Sequence, residues 1–448
     1  MKEIFAHIDA HMEEYIEDLK CLCRQPSISA QKVGLTEMAE LCVQMMRAYG
    51  LEARLVSIPG GPPGVYGERK GKSPKTLLCY NHYDVQPPEP LELWDSPPFE
   101  PIIRDGKLFG RGAVDNKGAF MSRLAAIKAY LDLYGELPVS VKLFLEGEEE
   151  VGSPNLPPFL KAHRDLLVAD ACIWPGQVNW EHQPQITLGL KGILYVELEV
   201  RGANQDIHSG SATYIVNPAW RLVWALNTLK DVNENVLIEG YYEHMRAPTE
   251  AELEAVHRMP SEEEKIKEEL GISDFLLGLS GFDLRIRDLF SPTCTICGIW
   301  GGYTGPGSKT VLPSVARAKI DFRLVPDMDP TDILAKLRRH LDKHGFSDVS
   351  ITPRTSMGRR AWRTPLDHPF VQTVVQAARE AYGTEPVVLP TINGSGAMHL
   401  FGESLGVPIA SAGVRYPGSQ IHAPNEHVRL DDFVLGIKHI AAIMHKMA

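Results

Sequence analysis

Four short segments of this chain carry side chains that bind metal ions, each among turn residues and each close to an apolar run. In TLLCYNHYDVQP, His82 and Asp84 stand two apart, so on an extended backbone they point the same way. One can ligate an ion while the other orients it, because a metal-bound imidazole needs a carboxylate partner. In GKLFGRGAVDNKGAF, glycines 110, 112 and 118 surround Asp115 and allow a tight path that presents one carboxylate ahead of a helix. In LFLEGEEEVGS, Glu146, Glu148, Glu149 and Glu150 crowd behind an apolar strand-like run. Adjacent carboxylates repel unless a cation or a proton separates them. GSQIHAPNEHV places His422 in a polar loop ahead of the last helix. Each segment alone reads equally as a strand-end His, an Asp-capped helix or a solvated acidic turn. Together they form the mixed nitrogen and oxygen set that suits zinc or manganese. A carboxylate left unligated beside the ion could then take a proton from the attacking water.

Composition narrows the partners. The chain has 448 residues, 44% hydrophobic and 23% charged, with a formal net charge of -11. That length favours two domains. The acidity disfavours nucleic acid or an anionic membrane as the main partner, since both need a basic face. The first residues, MKEIFAHIDAHMEEYIEDLKCL, hold acids among their apolar positions and read as neither a secretory signal nor a membrane span. Seven cysteines scattered over the chain do not suggest a disulfide framework, so a cytoplasmic location is expected. The one CxxC, Cys294 and Cys297, lies in a strand-like run without further ligands and reads as structural.

The elements that position these residues follow from periodicity. Ile4, Ile8, Met12, Tyr15, Ile16 and Leu19 fall at helical spacing, and LTEMAELCVQMMRAYG predicts a second helix closed by Gly50. The runs ARLVSI, KTLLCYNHYDV and VSVKLFLEGEEE predict strands, and KGAFMSRLAAIKAYLDLYG a helix between the last two. Such alternation predicts a sheet covered on both faces. After Gly192 the pattern changes, because ILYVELEVRG and VARAKIDFRLVP alternate like strands of a half-exposed sheet. Beyond about residue 364 the helices FVQTVVQAAREAYG and LDDFVLGIKHIAAIMHKM and the strand PVVLPTI restore the first pattern. The expected fold is α/β: a three-layer catalytic domain with a mixed, mainly parallel sheet at 1–191 and 364–448, interrupted by an α+β lid at 192–363.

The ordered series NHYDVQP, WDSPPFEP, DGKLFGRGAVDNKG, LEGEEEVGS, DIHSG, GSKTVLP, FRLVP and IHAPNE spans nearly the whole chain. It resembles the carnosinase and cytosolic dipeptidase branch of the aminoacylase/carboxypeptidase G-like metallopeptidases. The resemblance implies a dinuclear centre, with zinc or manganese as the ions, and a lid that mediates homodimerisation. It implies that His82 ligates one ion, that Asp115 bridges, and that Glu150 and His422 ligate the other. Asp84 would orient His82, Glu149 would be the general base, and Asp115–Asn116 would be a cis peptide. His208 would reach the partner subunit's site and stabilise the oxyanion. Thr310 and Arg323 would meet the substrate's carboxyl side, and Gly394 and Ser395 would line a substrate-carboxylate loop.

Two positions depart from that pattern. Thr391 stands where the dipeptidases resembled commonly have Arg, just upstream of the carboxylate loop. Pro175 stands where the third ligand of the His82 ion would be a carboxylate, and proline offers no ligating side chain. Gln177, Asp170 and Glu181 are the nearby residues that could substitute, so the His82 site is expected to be weak. The leading function is metal-dependent hydrolysis of dipeptides or related N-acyl amino acids, with Glu149 activating the attacking water. The alternatives are a carboxypeptidase or other amidohydrolase built on the same cluster, or a catalytically impaired homologue that binds metal or peptide. The intact Glu149 argues against the last. His163, His368 and His399 read as structural.

Overall fold

The computed structural model describes residues 1–354 and 358–448. Its main sheet runs in the order Glu52–Val56, Gly64–Arg69, Leu137–Glu146, Gly71–His82, Ala171–Val178, Pro184–Thr187 and Val387–Leu389. An eighth strand, Ile409–Arg415, pairs with Ala171–Val178. The strands at the centre are parallel: Gly71–His82 lies between Leu137–Glu146 and Ala171–Val178, and Ile409–Arg415 runs with the latter. These interior strands are apolar because helices cover both faces. On one face lie Leu35–Ala48, Lys117–Tyr134, Pro369–Tyr382 and Leu430–Met447, joined by residues such as Met121, Val374 and Ile440. On the other, Leu156–Ala162 and Met398–Leu405 pack Phe159 and Phe401 against Tyr80 and Trp174. The expected three-layer α/β arrangement is thus present, with both parallel and antiparallel pairs.

A second sheet, entirely antiparallel, orders Thr295–Gly301, Val315–Leu324, Gly192–Arg201 and Ser350–Pro353. The helices Pro218–Asn227 and Pro330–Lys343 cover it with Leu222, Ile333, Leu337 and Leu341. Arg201 pairs opposite Val315 and Gly192 opposite Leu324, so the two alternating runs face each other over their full length. The charged stretch near 249–270 forms two helices, Glu250–His257 and Glu263–Leu270. The first is tied by Glu252 to Arg363 (2.7 Å), on the strand that leads back to the main sheet.

The helical spacing over the first twenty residues produces two helices, Lys2–Ala10 and Met12–Arg24. His11 breaks the run at φ -109°, where its ring and its amide both donate to the His7 carbonyl (2.8 and 3.2 Å). All seven cysteines are free, and no helix among the described residues is long and apolar enough to cross a membrane.

Candidate metal centre

The centre lies beyond the carboxyl ends of the parallel strands, where open α/β sheets place their ligands. His82 ends Gly71–His82 and pairs in register with Glu146, which ends Leu137–Glu146. The two ligand-bearing loops therefore leave the sheet side by side. Asp115 precedes the Lys117–Tyr134 helix and is joined to Asn116 by a cis peptide. Glu149 and Glu150 open a single 3-10 turn behind their strand.

Asp115 reaches in two directions. One carboxylate oxygen lies 3.2 Å from His82 Nε2, and the other lies 3.4 Å from His422 Nε2. His422 Nε2 is also 3.0 Å from Glu150. His422 holds φ +63°, a left-handed conformation uncommon for a residue with a β-carbon. Hydrogen bonds that the imidazole donates to Asp115 and Glu150 lift it to a pKa of about 10. Burial alone would push the Asp115 carboxyl up, but the hydrogen bonds to His422 and His82 prevail and hold it low. Burial disfavours a charged His82 as well; its bonds to Asp115 and Asp84 outweigh this and raise it. Glu149 is pushed up to about 7, chiefly by burial, with His82 opposing and Glu150, Asp115 and Asp84 adding to the rise.

Asp84 is fully buried, and its carboxylate accepts from the amides of Glu149 (3.2 Å) and Glu150 (3.0 Å). The ring of His82 approaches the Asp84 main-chain oxygen through Nδ1 (3.1 Å) more closely than the carboxylate (3.4 Å). Gln86, which sequence reasoning did not single out, donates to Glu150. Glu426 was also missed: it accepts from Arg111 (2.7 Å) and from the amides of Gly112, Val114 and Asp115. Its place at the end of the IHAPNE segment was the available signal for it.

A cavity of about 250 Å³ adjoins these groups. His82, Asp115, Glu149 and His422 line it, as do Gly394 and Ser395. Arg323 of the second sheet donates to the Ser395 hydroxyl (3.0 Å) and so stands behind that loop. His208 and Thr310 do not line the cavity. They sit on the paired segments around Ile207–His208 and Val311–Leu312, where the ring of His208 accepts from the Gly210 amide. Of the other histidines, His368 caps the Pro369–Tyr382 helix, His163 is exposed and His399 is buried.

Asp115, Glu150 and His422 converge as one nitrogen and two carboxylate donors, a set that fits a divalent ion with room for water or substrate. The His82 side fits less well. His82, Asp115 and Glu150 do offer atoms within 4.8 Å of one another, but His422 is the nearer imidazole to Glu150. None of the substitutes for Pro175 turns inward. Asp170 accepts from the Thr76 amide at the opposite end of its strand, and Glu181 pairs with Lys265. Gln177 accepts from Arg415 (3.0 Å) and donates to Gln185 (2.6 Å).

The family model for peptidase family M20/M25/M40 matches residues 78–446. The Beta-Ala-His dipeptidase of Homo sapiens is 28% identical over 482 residues, covering 100% of this chain and 93% of that protein. The crystal structure of the M20 family metallo-carboxypeptidase Sso-CP2 from Sulfolobus solfataricus superposes with a TM-score of 0.92 at 38% identity, over 97% of this chain and 100% of that one. The Bacillus subtilis YXEP protein, a dinuclear metal binding peptidase, shares the fold at 13% identity, with a TM-score of 0.62 and 98% of each chain covered.

Proposed function

Because this chain belongs to peptidase family M20/M25/M40, we propose that it hydrolyses the amide bond of dipeptides or closely related N-acyl amino acids. The observation that carries the reading is the place of Glu149: it lies beside Asp115 and Glu150 and faces the cavity, and without an ion burial pushes its carboxyl up to about 7. A general base works best when its pKa lies near the operating pH.

Asp115, Glu150 and His422 would hold the ion, with zinc the better match to this donor set and manganese the alternative. When bound, it supplies Lewis acidity toward the substrate carbonyl and makes nearby water more acidic. Glu149 accepts the proton of the attacking water and returns it to the departing amine. Asp84 holds the Glu149 and Glu150 amides, which fixes the base against the ligand beside it. Gly394 and Ser395, backed by Arg323, receive the substrate's free carboxylate, which a guanidinium recognises through paired hydrogen bonds. The cavity is small beside the roughly 300–1,000 Å³ of sites for drug-sized ligands. That favours a short substrate.

Residues 192–363 act as the lid in this reading, and the chain works as a cytoplasmic homodimer. His208 and Thr310 would serve the partner's site, consistent with their exposure away from their own cavity. The 38% identity with a carboxypeptidase keeps longer peptides as the second reading. Glu149→Gln separates chemistry from binding: turnover should be lost while the metal content is kept. Retained turnover would remove Glu149 from its role. Comparing dipeptides, N-acyl amino acids and longer peptides in one assay distinguishes the substrate classes.

A further inference from the structure

We infer that this chain works with a single metal ion, and that the guanidinium of Arg415 takes the place of a second one beside His82. The inference rests on the proposed hydrolytic site and assigns how its charge is supplied.

The donors on the His82 side are too few for a second ion. His82 Nε2 and one oxygen of Asp115 face each other, and Glu150, the third donor within 4.8 Å of them, is the one that His422 Nε2 approaches at 3.0 Å, so an ion held with His422 leaves only two donors beside His82. The Asp84 carboxylate is already engaged by two amides. Across the cavity stand Trp174, Pro175 and Gly176, none of which offers a ligating side chain. A tetrahedral ion needs more than two protein donors to be held tightly.

The same wall carries a permanent cation. Arg415 ends the Ile409–Arg415 strand and lines the cavity with His82, Asp115, Glu149 and Pro175. Its Nε donates to the Gln177 side chain (3.0 Å), and its charge acts on Asp115 and Glu149. How it gets there is visible in the register. Ala412 pairs opposite Pro175 and Arg415 opposite Gln177, so one extra residue sits in the later strand between these pairs. Such a bulge re-aims the side chain that follows it. The bulge closes only because two glycines meet. A β-carbon on Gly413 would lie 2.1 Å from the Gly176 oxygen, and one on Gly176 would lie 2.8 Å from the Ala412 nitrogen. Pro175, which offers no ligand, and the cation Arg415 therefore lie on adjacent strands, across one pair of glycines. Arginine suits the role because it stays charged at any working pH.

The test is metal stoichiometry, read without substrate. The purified full chain is equilibrated with Zn²⁺ or Co²⁺ and desalted, and its metal is counted by mass spectrometry. One tightly held ion per chain is expected, and two would overturn the inference. His422→Ala should lose that ion, whereas His82→Ala should keep it; the reverse pattern would also overturn the inference. The double variant Pro175→Glu with Arg415→Leu should take two ions and give the spin-coupled Co²⁺ spectrum that wild type lacks. A folded double variant holding one ion would refute the pairing of the two positions. A one-ion chain inactive on every dipeptide would refute the substrate reading instead, leaving this inference intact.

Discussion

Asp84→Asn is the sharpest perturbation of the centre, because two different roles for Asp84 predict different outcomes. If its carboxylate mainly orients His82, the change should spare an ion held by Asp115, Glu150 and His422. The contacts point elsewhere: the carboxylate oxygens accept from the Glu149 amide at 3.2 Å and the Glu150 amide at 3.0 Å, in a fully buried position. Asparagine keeps one acceptor and turns the other into an NH₂ group, so one of the two amides faces a donor. A buried amide left without its acceptor costs about 1–3 kcal/mol, and one bonded to a charged group sits toward the upper part of that range. The Glu149–Glu150 turn can escape that cost by shifting, which moves Glu150 away from His422. The ion-binding state then bears the penalty. At about 1.4 kcal/mol per factor of ten, affinity for the ion should fall about 10- to 100-fold. Competition with a chromophoric chelator measures this directly, with circular dichroism to confirm the fold. An affinity within about threefold of wild type would refute the anchoring role.

Metal affinity should also climb with pH. His422 is held protonated up to about 10 in the metal-free chain, and an ion must displace that proton. Raising the pH removes the competitor, so affinity rises by up to tenfold per unit below the pKa. The ring is half exposed and screening by solvent trims the shift, so the firm requirement is a rise that continues above pH 7. Calorimetry in buffers of different ionisation enthalpy should find a proton released at pH 8; none would count against the Asp115 and Glu150 contacts. For the base, kcat/KM should fall as pH drops through the Glu149 pKa, because the protonated acid cannot accept from water. The bound ion lowers that pKa from about 7, so the acid limb should lie below 7, and activity that increases on acidification would exclude Glu149 as the base. Arg323→Lys, which keeps the charge but loses the fork that reaches Ser395, should raise KM for dipeptides about tenfold. C-terminally amidated substrates should be insensitive, and equal effects on both would detach Arg323 from carboxylate recognition.

Much of the catalytic layer was legible because its residues carry strong periodic and chemical signals. The Gly71–His82 and Leu137–Glu146 strands each end in a buried stretch closed by a histidine or an acid, and the Lys117–Tyr134 helix is followed by Gly135 in the left-handed conformation. The residues that hold the ligands in place were harder to read. Glu426 acts through backbone amides more than 300 residues earlier in the chain, a relation that no local spacing encodes. Arg415 was hidden for a different reason. Its strand, IASAGVR, is short and made of small residues without an alternating pattern, and the extra residue after Ala412 breaks any period. The sequence shows a proline at 175; that Arg415 lies on the neighbouring strand could be seen only once the two strands were paired.

Asp84 and Glu426 are buried acids, and each holds main-chain amides of a ligand-bearing loop: Glu149 and Glu150 on one side, Gly112 to Asp115 on the other. Asp115 and Glu150 are thereby positioned by the backbone, independently of any ion. His422 is the exception, half exposed on a loop at positive φ, with its Nε2 3.0 Å from Glu150. The loop it rides on begins just after Arg415. The bulge at Gly413 places Arg415 on the cavity wall that His82 also lines. A cation fixed by a covalent chain needs no ligands of its own. If Arg415 supplies the charge beside His82, Gly413→Ala, by displacing the bulge, should weaken substrate turnover, and unchanged turnover in the folded variant would refute that role.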